Sequence, residues 1–283
     1  MAHVALCTLR CRDQSVSKPF YLISFPVQGG GIILIDFYFD YTKIIIMRFT
    51  GQSIENAISG AKDEMSEIAE RVAHDLKIQN DKDWFIVGGA VRDAVIDKLV
   101  GQKNKSKDID IILSENLDLV NNSNIVWKKE NSFGGIKVQT SSVSEIDIFN
   151  QKMFEPAYFI ANNFDFNCNS LYYSCRDKQI HVSAFFYDFI SRKTIEMLIY
   201  HYAKHYLYGI YPDYAIVARA LKFQVLFYER YNMNVKLSDN IWYMLMSMDK
   251  SAEYDMFQYI KQKVKDNNTV MQIMKKYNMY KQQ

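Results

Sequence analysis

One stretch constrains the fold more than any other: an apolar run ends in two glycines, a helical pattern follows, and a second apolar run carries two aspartates. It reads DWFIVGGAVRDAVIDKLVGQKNKSKDIDIIL, positions 83–113. The run WFIVG has the length of a buried strand, and AVRDAVIDKLV has the apolar spacing of a helix that stops at Gly101. The stretch therefore predicts a strand, a tight turn into a helix, and a second strand.

The two aspartates are spaced to share one face of the second strand. Side chains two residues apart in a strand project from the same face, so Asp108 and Asp110 point together while Ile109 and Ile111 face the core. Neighbouring carboxylates repel each other unless a cation lies between them. Mg²⁺ prefers carboxylate oxygens and completes its shell with water and phosphate. The pattern predicts half of a site for a metal and a triphosphate.

The glycine pair predicts the other half of that site. Gly88 and Gly89 allow a ligand to approach the backbone closely, at a helix N-terminus whose free N–H groups favour an anion. Arg92, in the first helical turn, adds a guanidinium that suits a phosphate oxygen. The segment GQKNKSK at 101–107 lacks the GxxxxGK[ST] spacing of a P-loop.

GGAVRD followed by DIDI resembles the head domain of the polymerase-β-like nucleotidyltransferases, of the tRNA CCA-adding and bacterial poly(A) polymerase type. The resemblance implies that the glycine pair contacts the incoming triphosphate and that Asp108 and Asp110 hold two Mg²⁺ ions. NSFGGIKVQTSSVSEIDIFN is similar to the following hairpin of such heads. That similarity implies a third acidic ligand at Asp147, with Glu145 as the alternative on the same face.

Two later segments extend the resemblance, which covers about residues 54–230. FDFNCNSL at 164–171 is similar to the family motif RRDFTINAL, and this implies ribose recognition by Asp165 and Asn169. Asn163 and Phe164 stand in place of the two arginines. PDYAIVARALKFQVLFY is similar to the base-reading segment EDPLRxLRAxRFA and implies a nucleotide contact by Arg219. In that segment Asp213 matches the family's aspartate. Ile216 stands in place of the family's first arginine, and Lys222 aligns with its last.

The order of the patterns predicts an α+β fold. We expect a polymerase-β-like nucleotidyltransferase head, a small mixed sheet flanked by helices, at 51–190, and an all-helical C-terminal domain at 191–283. Residues 1–50 are expected to form an N-terminal extension of uncertain structure, in which GGGIILIDFYFDYTKIIIM predicts one or two strands at most. SLYYSCRDKQIHVSAF resembles a hairpin, and an amphipathic helix runs from Ser53. The helices predicted after the hairpin span 191–208, 213–230, 238–248, 251–263 and 268–280.

Composition narrows the class of protein. A chain of 283 residues, 49% hydrophobic and with a formal charge of +2, has ample material for a packed core and no overall charge that demands a nucleic-acid partner. The four cysteines form no CxxC pair, which argues against a disulfide framework or a zinc site. No apolar run approaches the ~20 residues that a membrane-spanning helix needs. We expect a cytoplasmic protein with no membrane partner.

The C-terminal lysines, two histidines and Asp93 can each be interpreted either as structural residues or as binding residues. The C-terminal segment KQKVKDNNTVMQIMKKYNMYKQQ contains six lysines and one aspartate; it predicts either an RNA-binding helical face or a solvated terminal helix. His201 and His205 lie four apart without a third ligand, so they are interpreted as surface histidines. Asp93 is expected to stabilise the first helical turn.

The combined prediction is a template-independent nucleotidyltransferase. It transfers a nucleoside monophosphate from an NTP to an RNA 3′ end, with tRNA as one candidate, and releases pyrophosphate by a two-metal mechanism. Asp108, Asp110 and Asp147 are the predicted catalytic residues and metal ligands. Two alternatives stay open: nucleotidylation of a protein or small-molecule hydroxyl, and a non-catalytic nucleotide- or RNA-binding relic.

Overall fold

In a computed structural model, the protein forms two compact units, Met1–Ile44 and Ile45–Gln283. The residues that the structure describes are 4–5, 21–26, 32–37, 52–79, 82–102, 108–113, 122–130, 135–143, 145–150, 164–198, 212–264 and 266–282. In the first unit, strands β1 (Val4–Ala5), β2 (Tyr21–Pro26) and β3 (Ile32–Phe37) form an antiparallel sheet in that order.

The second unit is built around a mixed seven-stranded sheet with the order β10-β9-β4-β5-β8-β7-β6. β5 and β8 are parallel neighbours, and the other described pairs in this sheet are antiparallel. Its strands are β4 (Trp84–Val87), β5 (Ile109–Leu113), β6 (Ile125–Glu130), β7 (Ile136–Thr140), β8 (Ile146–Asn150), β9 (Leu171–Ser174) and β10 (Gln179–Val182).

Helices flank this sheet and make up most of the described chain after it. They are α1 (Gln52–Leu76), α2 (Gly89–Val100), α3 (Ala184–Arg192), α4 (Asp213–Tyr231), α5 (Asp239–Ser247), α6 (Lys250–Lys263) and α7 (Asn267–Lys281). A short 3-10 helix spans Asn167–Asn169. A small parallel pair, β11 (Thr194–Ile195) and β12 (Lys236–Leu237), links the two helical regions.

The two faces of the sheet have different environments. Alternate residues such as Ile86 and Ile111 are fully buried in the main core, together with Met65 of α1. The opposite face carries a small apolar cluster around Val87 and Ile112. Because side chains alternate along a strand, that second face is also the one that receives Asp110.

The structure confirms the predicted α+β class and the hairpin, which is formed by β9 and β10. The helix predicted at 191–208 is wrong where it can be compared: α3 ends at Arg192, and Lys193 adopts a left-handed conformation with φ 49°. Ile195 is then buried in the β11 and β12 pair, so tertiary pairing overrides the helical pattern. Residues 199–208, with both predicted surface histidines, lie outside the described residues. The domain boundary at 190 stays a prediction.

Among the described helices, none has the length and apolarity needed to cross a bilayer.

Candidate active site

The register of the sheet places the predicted carboxylates side by side. Asp110 of β5 pairs with Asp147 of the parallel strand β8, and Asp147 pairs in turn with Lys137 of β7. Strands in a sheet lie about 4.8 Å apart, so these three side chains form one row on one face. Asp108 and Glu145 form a second row, where the Ile109 N–H donates to the Glu145 carbonyl at 3.1 Å.

Crowding of negative charge raises the pKa values in these rows. The pKa of Asp110 rises from 3.8 to about 7 because the carboxyl is removed from water and lies close to Asp147 and Asp108. The pKa of Asp108 rises to about 6 through desolvation and its hydrogen bond and repulsion with Glu145. The carboxylates are thus held together against their repulsion, which is typical of a site that binds a cation.

Lys137 supplies one positive charge to this cluster. Its Nζ lies 2.9 Å from Asp147 Oδ2 and 3.4 Å from Glu145 Oε1. Burial alone would lower the pKa of Lys137, but the hydrogen bond and the charge of Asp147 hold it above the ordinary value. Lys137 was not among the site residues predicted from the sequence; the signal for it was its position in IKVQT, one strand before EIDIF in the predicted hairpin.

The donor set suits a hard divalent cation. In the described part of the chain, no three carboxylate, histidine or cysteine side chains already stand as a closed metal-binding group. The close pair is formed instead by the Lys137 ammonium and Asp147. Asp110, with its raised pKa, and Asp108 offer the oxygen ligands that Mg²⁺ prefers, and a cation between them would relieve the repulsion. The chemistry of the residues therefore fits Mg²⁺.

Gly88 makes the closest approach to the carboxylates. It has φ +70°, and a Cβ built on it would lie 2.8 Å from Asp110 Oδ2 and 3.3 Å from Phe164 Cζ. Only glycine adopts this positive φ readily and also leaves the Asp110 and Phe164 side chains where they are. At Gly89, the first residue of α2, a Cβ would have only an ordinary contact with Arg92 Nη2 at 3.5 Å. The two glycines thus differ: a side chain at Gly88 would clash with its neighbours, whereas a side chain at Gly89 would fit.

Arg92 lies inside the protein and pairs with protein groups. Its Nε donates to Asp93 Oδ1 at 2.7 Å, its Nη1 donates to Asn169 Oδ1 at 2.7 Å, and its Nη2 lies 2.6 Å from Asp93 Oδ1. Phe223 lies against the guanidinium. Asp93, predicted to serve the helix terminus, is buried and also accepts from Arg230 Nη1 at 2.9 Å. The structure gives Arg92 a positioning role between α2, α4 and the 3-10 helix, while its phosphate contact stays a prediction.

The residues of the ribose motif are held by arginines. Asp165 is buried and receives two contacts from Arg219, Nε to Oδ2 at 2.7 Å and Nη2 to Oδ1 at 3.1 Å. Asn169 accepts from Arg92. Phe164 packs with the apolar cluster around Val87. The structure thus brings the predicted nucleotide-binding residues to one side of the carboxylates, and their contact with nucleotide stays a prediction.

Helix α4 presents cations to this side of the site. Arg219 and Arg230 anchor to buried aspartates of the head, and Lys222 lies between them. The pKa of Lys222 is lowered because its ammonium is partly desolvated and repelled by Arg219, although Asp108 opposes the effect. Lys222 was recognised only as a motif position; spacing by about one helical turn along α4 could have added it to the site.

Comparison with known proteins finds no matching family model and no matching curated protein. Among solved structures, an apo form of a CCA-adding enzyme superposes with a TM-score of 0.50 and 14% identity over 82% of this chain and 54% of that one. A CCA-adding enzyme complex with ATP has a TM-score of 0.50 and 15% identity over 82% and 55%. The Thermotoga maritima CCA-adding enzyme complexed with tRNA has a TM-score of 0.47 and 16% identity over 82% and 54%.

The chain spans about half the length of these solved structures. The protein therefore shares the fold of these CCA-adding enzyme structures, a mixed sheet followed by helices.

Proposed function

We propose that this protein is a template-independent nucleotidyltransferase that transfers a nucleoside monophosphate from an NTP to an RNA 3′ end. The observation that carries the proposal is the register of Asp110 and Asp147 on adjacent parallel strands, with Gly88 against the first of them. A sheet whose carboxylates repel one another next to an open helix N-terminus suits a cation and a triphosphate together. The fold shared with the CCA-adding enzymes agrees with this chemistry.

The chain's own residues divide the work of the reaction. Asp108, Asp110 and Asp147 would hold the Mg²⁺ ions, which when bound neutralise triphosphate charge and lower the pKa of the attacking hydroxyl. Gly88 lets the Asp110 carboxylate approach the backbone at the N-terminus of α2, where backbone N–H groups favour a phosphate. Lys137 offsets part of the carboxylate charge from the β7 side.

The nucleotide would lie between the glycine turn and α4. Arg219 and Lys222 provide positive charge on this side, and Asp165 holds the Arg219 guanidinium in a fixed plane. The family's arginine before the aspartate is replaced by Phe164, whose ring lies beside Gly88 and the apolar cluster. An aromatic ring at this place suits packing against a ribose or base.

RNA is the proposed acceptor, with tRNA as one candidate. The C-terminal lysines that remain available to a phosphate backbone are Lys261, Lys263 and Lys275, which are exposed. Lys281 belongs to the fold, because its Nζ donates to the Met248 carbonyl at 3.0 Å. Lys265 lies outside the described residues. A phosphate-binding surface of this kind makes binding weaken as salt rises.

The test is transfer of label from each of the four NTPs to a mixed RNA pool that includes tRNA, with Mg²⁺ present. Wild type is compared with Asp110→Asn and with the matched control Asp63→Asn, which changes an exposed aspartate of α1. We expect label on RNA with wild type and the control, and a loss of about 10²-fold or more with Asp110→Asn. The preferred NTP distinguishes A-adding from CCA-adding behaviour.

Two results would contradict the proposal. Label on a protein or small molecule of a cell extract, with none on RNA, assigns nucleotidylation of another hydroxyl. Metal-dependent NTP binding without any transfer assigns the protein as a binding relic.

A further inference from the structure

An exposed tryptophan and a lysine lie at the edge of the sheet beside the carboxylates. In the described sheet, β6 is an edge strand and pairs with β7. Trp127 pairs with Gln139, and Lys129 pairs with Lys137, whose partner on the other side is Asp147. Direct partners share a face of a sheet, so Trp127 and Lys129 lie on the face that carries Asp147. Trp127 is 44% exposed.

A β-bulge places Trp127 on this face. Ile125 pairs with Thr140, but Trp127 pairs with Gln139, so β6 has one extra residue, Val126, at this point. Ile125 therefore packs against the main core with buried Thr140, whereas Trp127 turns to the opposite face. Without the bulge the two side chains would share a face. Bulges of this kind re-aim side chains and are frequent beside active sites.

The position of this edge matches the geometry of the proposed reaction. Gly88 follows β4, on one side of the carboxylate strands β5 and β8, and the β7 and β6 pair lies on the other side. In nucleotidyl transfer the attacking and leaving oxygens are in line. A nucleotide whose phosphates lie at the glycine turn must therefore be attacked from the side of β7 and β6.

The chemistry of the edge suits a single-stranded nucleic acid. Aromatic side chains stack bases without regard to sequence, and cations beside them hold the phosphate backbone. Lys129 lies two strands from Asp147, and that distance is about 10 Å, or the span of roughly three stacked nucleotides. Trp127 stands one step along the same strand, in the row of Asp108 and Glu145.

We propose that Trp127 and Lys129 form an acceptor platform, on which the last nucleotides of a single-stranded 3′ end lie before transfer. Trp127 stacks a base and Lys129 contacts a phosphate. The inference rests on the proposed function and adds to it the side from which the acceptor enters and the single-stranded form in which it is bound.

The test measures binding apart from transfer. A single-stranded RNA 12-mer with a 5′ fluorophore is titrated with the full chain, without NTP, and its anisotropy is followed. Trp127→Ala is compared with Val126→Ala on the same strand, and Lys129→Gln with Lys128→Gln, which removes the same charge from the opposite face. Trp127→Phe tests whether an aromatic ring alone suffices.

We expect Trp127→Ala to weaken binding about 5- to 100-fold, with recovery in Trp127→Phe and no change in Val126→Ala. Lys129→Gln should lower the slope of log Kd against log salt by about 0.7, and Lys128→Gln by less. Equal affinities for Trp127→Ala and Val126→Ala, or no binding by wild type, would overturn the platform. Tryptophan-dependent binding by a wild type that transfers no nucleotide would support the platform and refute the proposed function.

Discussion

Replacing Asp110 with asparagine should stabilise the protein while it removes activity. The pKa of Asp110 lies at about 7 instead of 3.8, because burial and the charges of Asp147 and Asp108 disfavour its ionised form. Asparagine has the same shape as the neutral acid and cannot ionise. The substitution therefore stabilises the folded state only at pH values at which the wild-type carboxyl is ionised in the unfolded chain.

Proton linkage gives the sign and the size of this change in the free energy of unfolding. Between pH 4 and pH 7 the folded state binds more protons at Asp110 than the unfolded state does, so the free energy of unfolding falls as pH rises. The shift corresponds to about 4 kcal/mol at pH 8 and less than half of that at pH 5. Because Asp110 is only partly buried, solvent screening lowers this contribution to about 2 kcal/mol at pH 8.

The assay is urea unfolding of wild type and Asp110→Asn at several pH values from 5 to 8, with a chelator present. We expect the variant's advantage in the free energy of unfolding to grow across this range and to reach about 2–4 kcal/mol at pH 8. Addition of Mg²⁺ should then stabilise wild type and not the variant. The control Asp63→Asn should show no such trend. An advantage that does not change with pH, or a variant less stable than wild type at pH 8, would refute the reasoning.

Three further outcomes are expected. Gly88→Ala should destabilise the fold by about 1–3 kcal/mol more than Gly101→Ala, since both have positive φ but only the first Cβ would meet Asp110, at 2.8 Å; urea unfolding compares them. Mg²⁺ affinity, measured by calorimetry, should fall about 100-fold from pH 8 to pH 5 through protonation of Asp110 alone, and constant affinity would contradict this. Arg92→Lys should cost ~3 kcal/mol or more in thermal unfolding, because one ammonium cannot replace the guanidinium contacts to both buried Asp93 and Asn169; a neutral change would refute the positioning role.

Local pattern was sufficient for the elements around the glycine pair. The strand at Trp84–Val87 and the helix at Gly89–Val100 follow from an apolar run, two glycines and a helical period, and Gly101 ends the helix in a left-handed conformation. The alternation in DIDII likewise separates carboxylates from core residues. These features depend on neighbours in the chain, which a sequence shows directly.

Long-range partners decided the rest. No local pattern indicates that β5 and β8 run parallel with Asp110 opposite Asp147, or that Lys137 reaches Asp147. Arg92, which its place in the first turn assigned to phosphate, is enclosed by residues far along the chain.

The sequence by itself determined the class of fold, the carboxylates and the glycine turn, because those follow from periodicity and from residue types at fixed spacing. Only the tertiary structure decided which charges meet. Strand register and helix docking set those distances, and the energy of a charged side chain depends on the partners and the solvent that surround it.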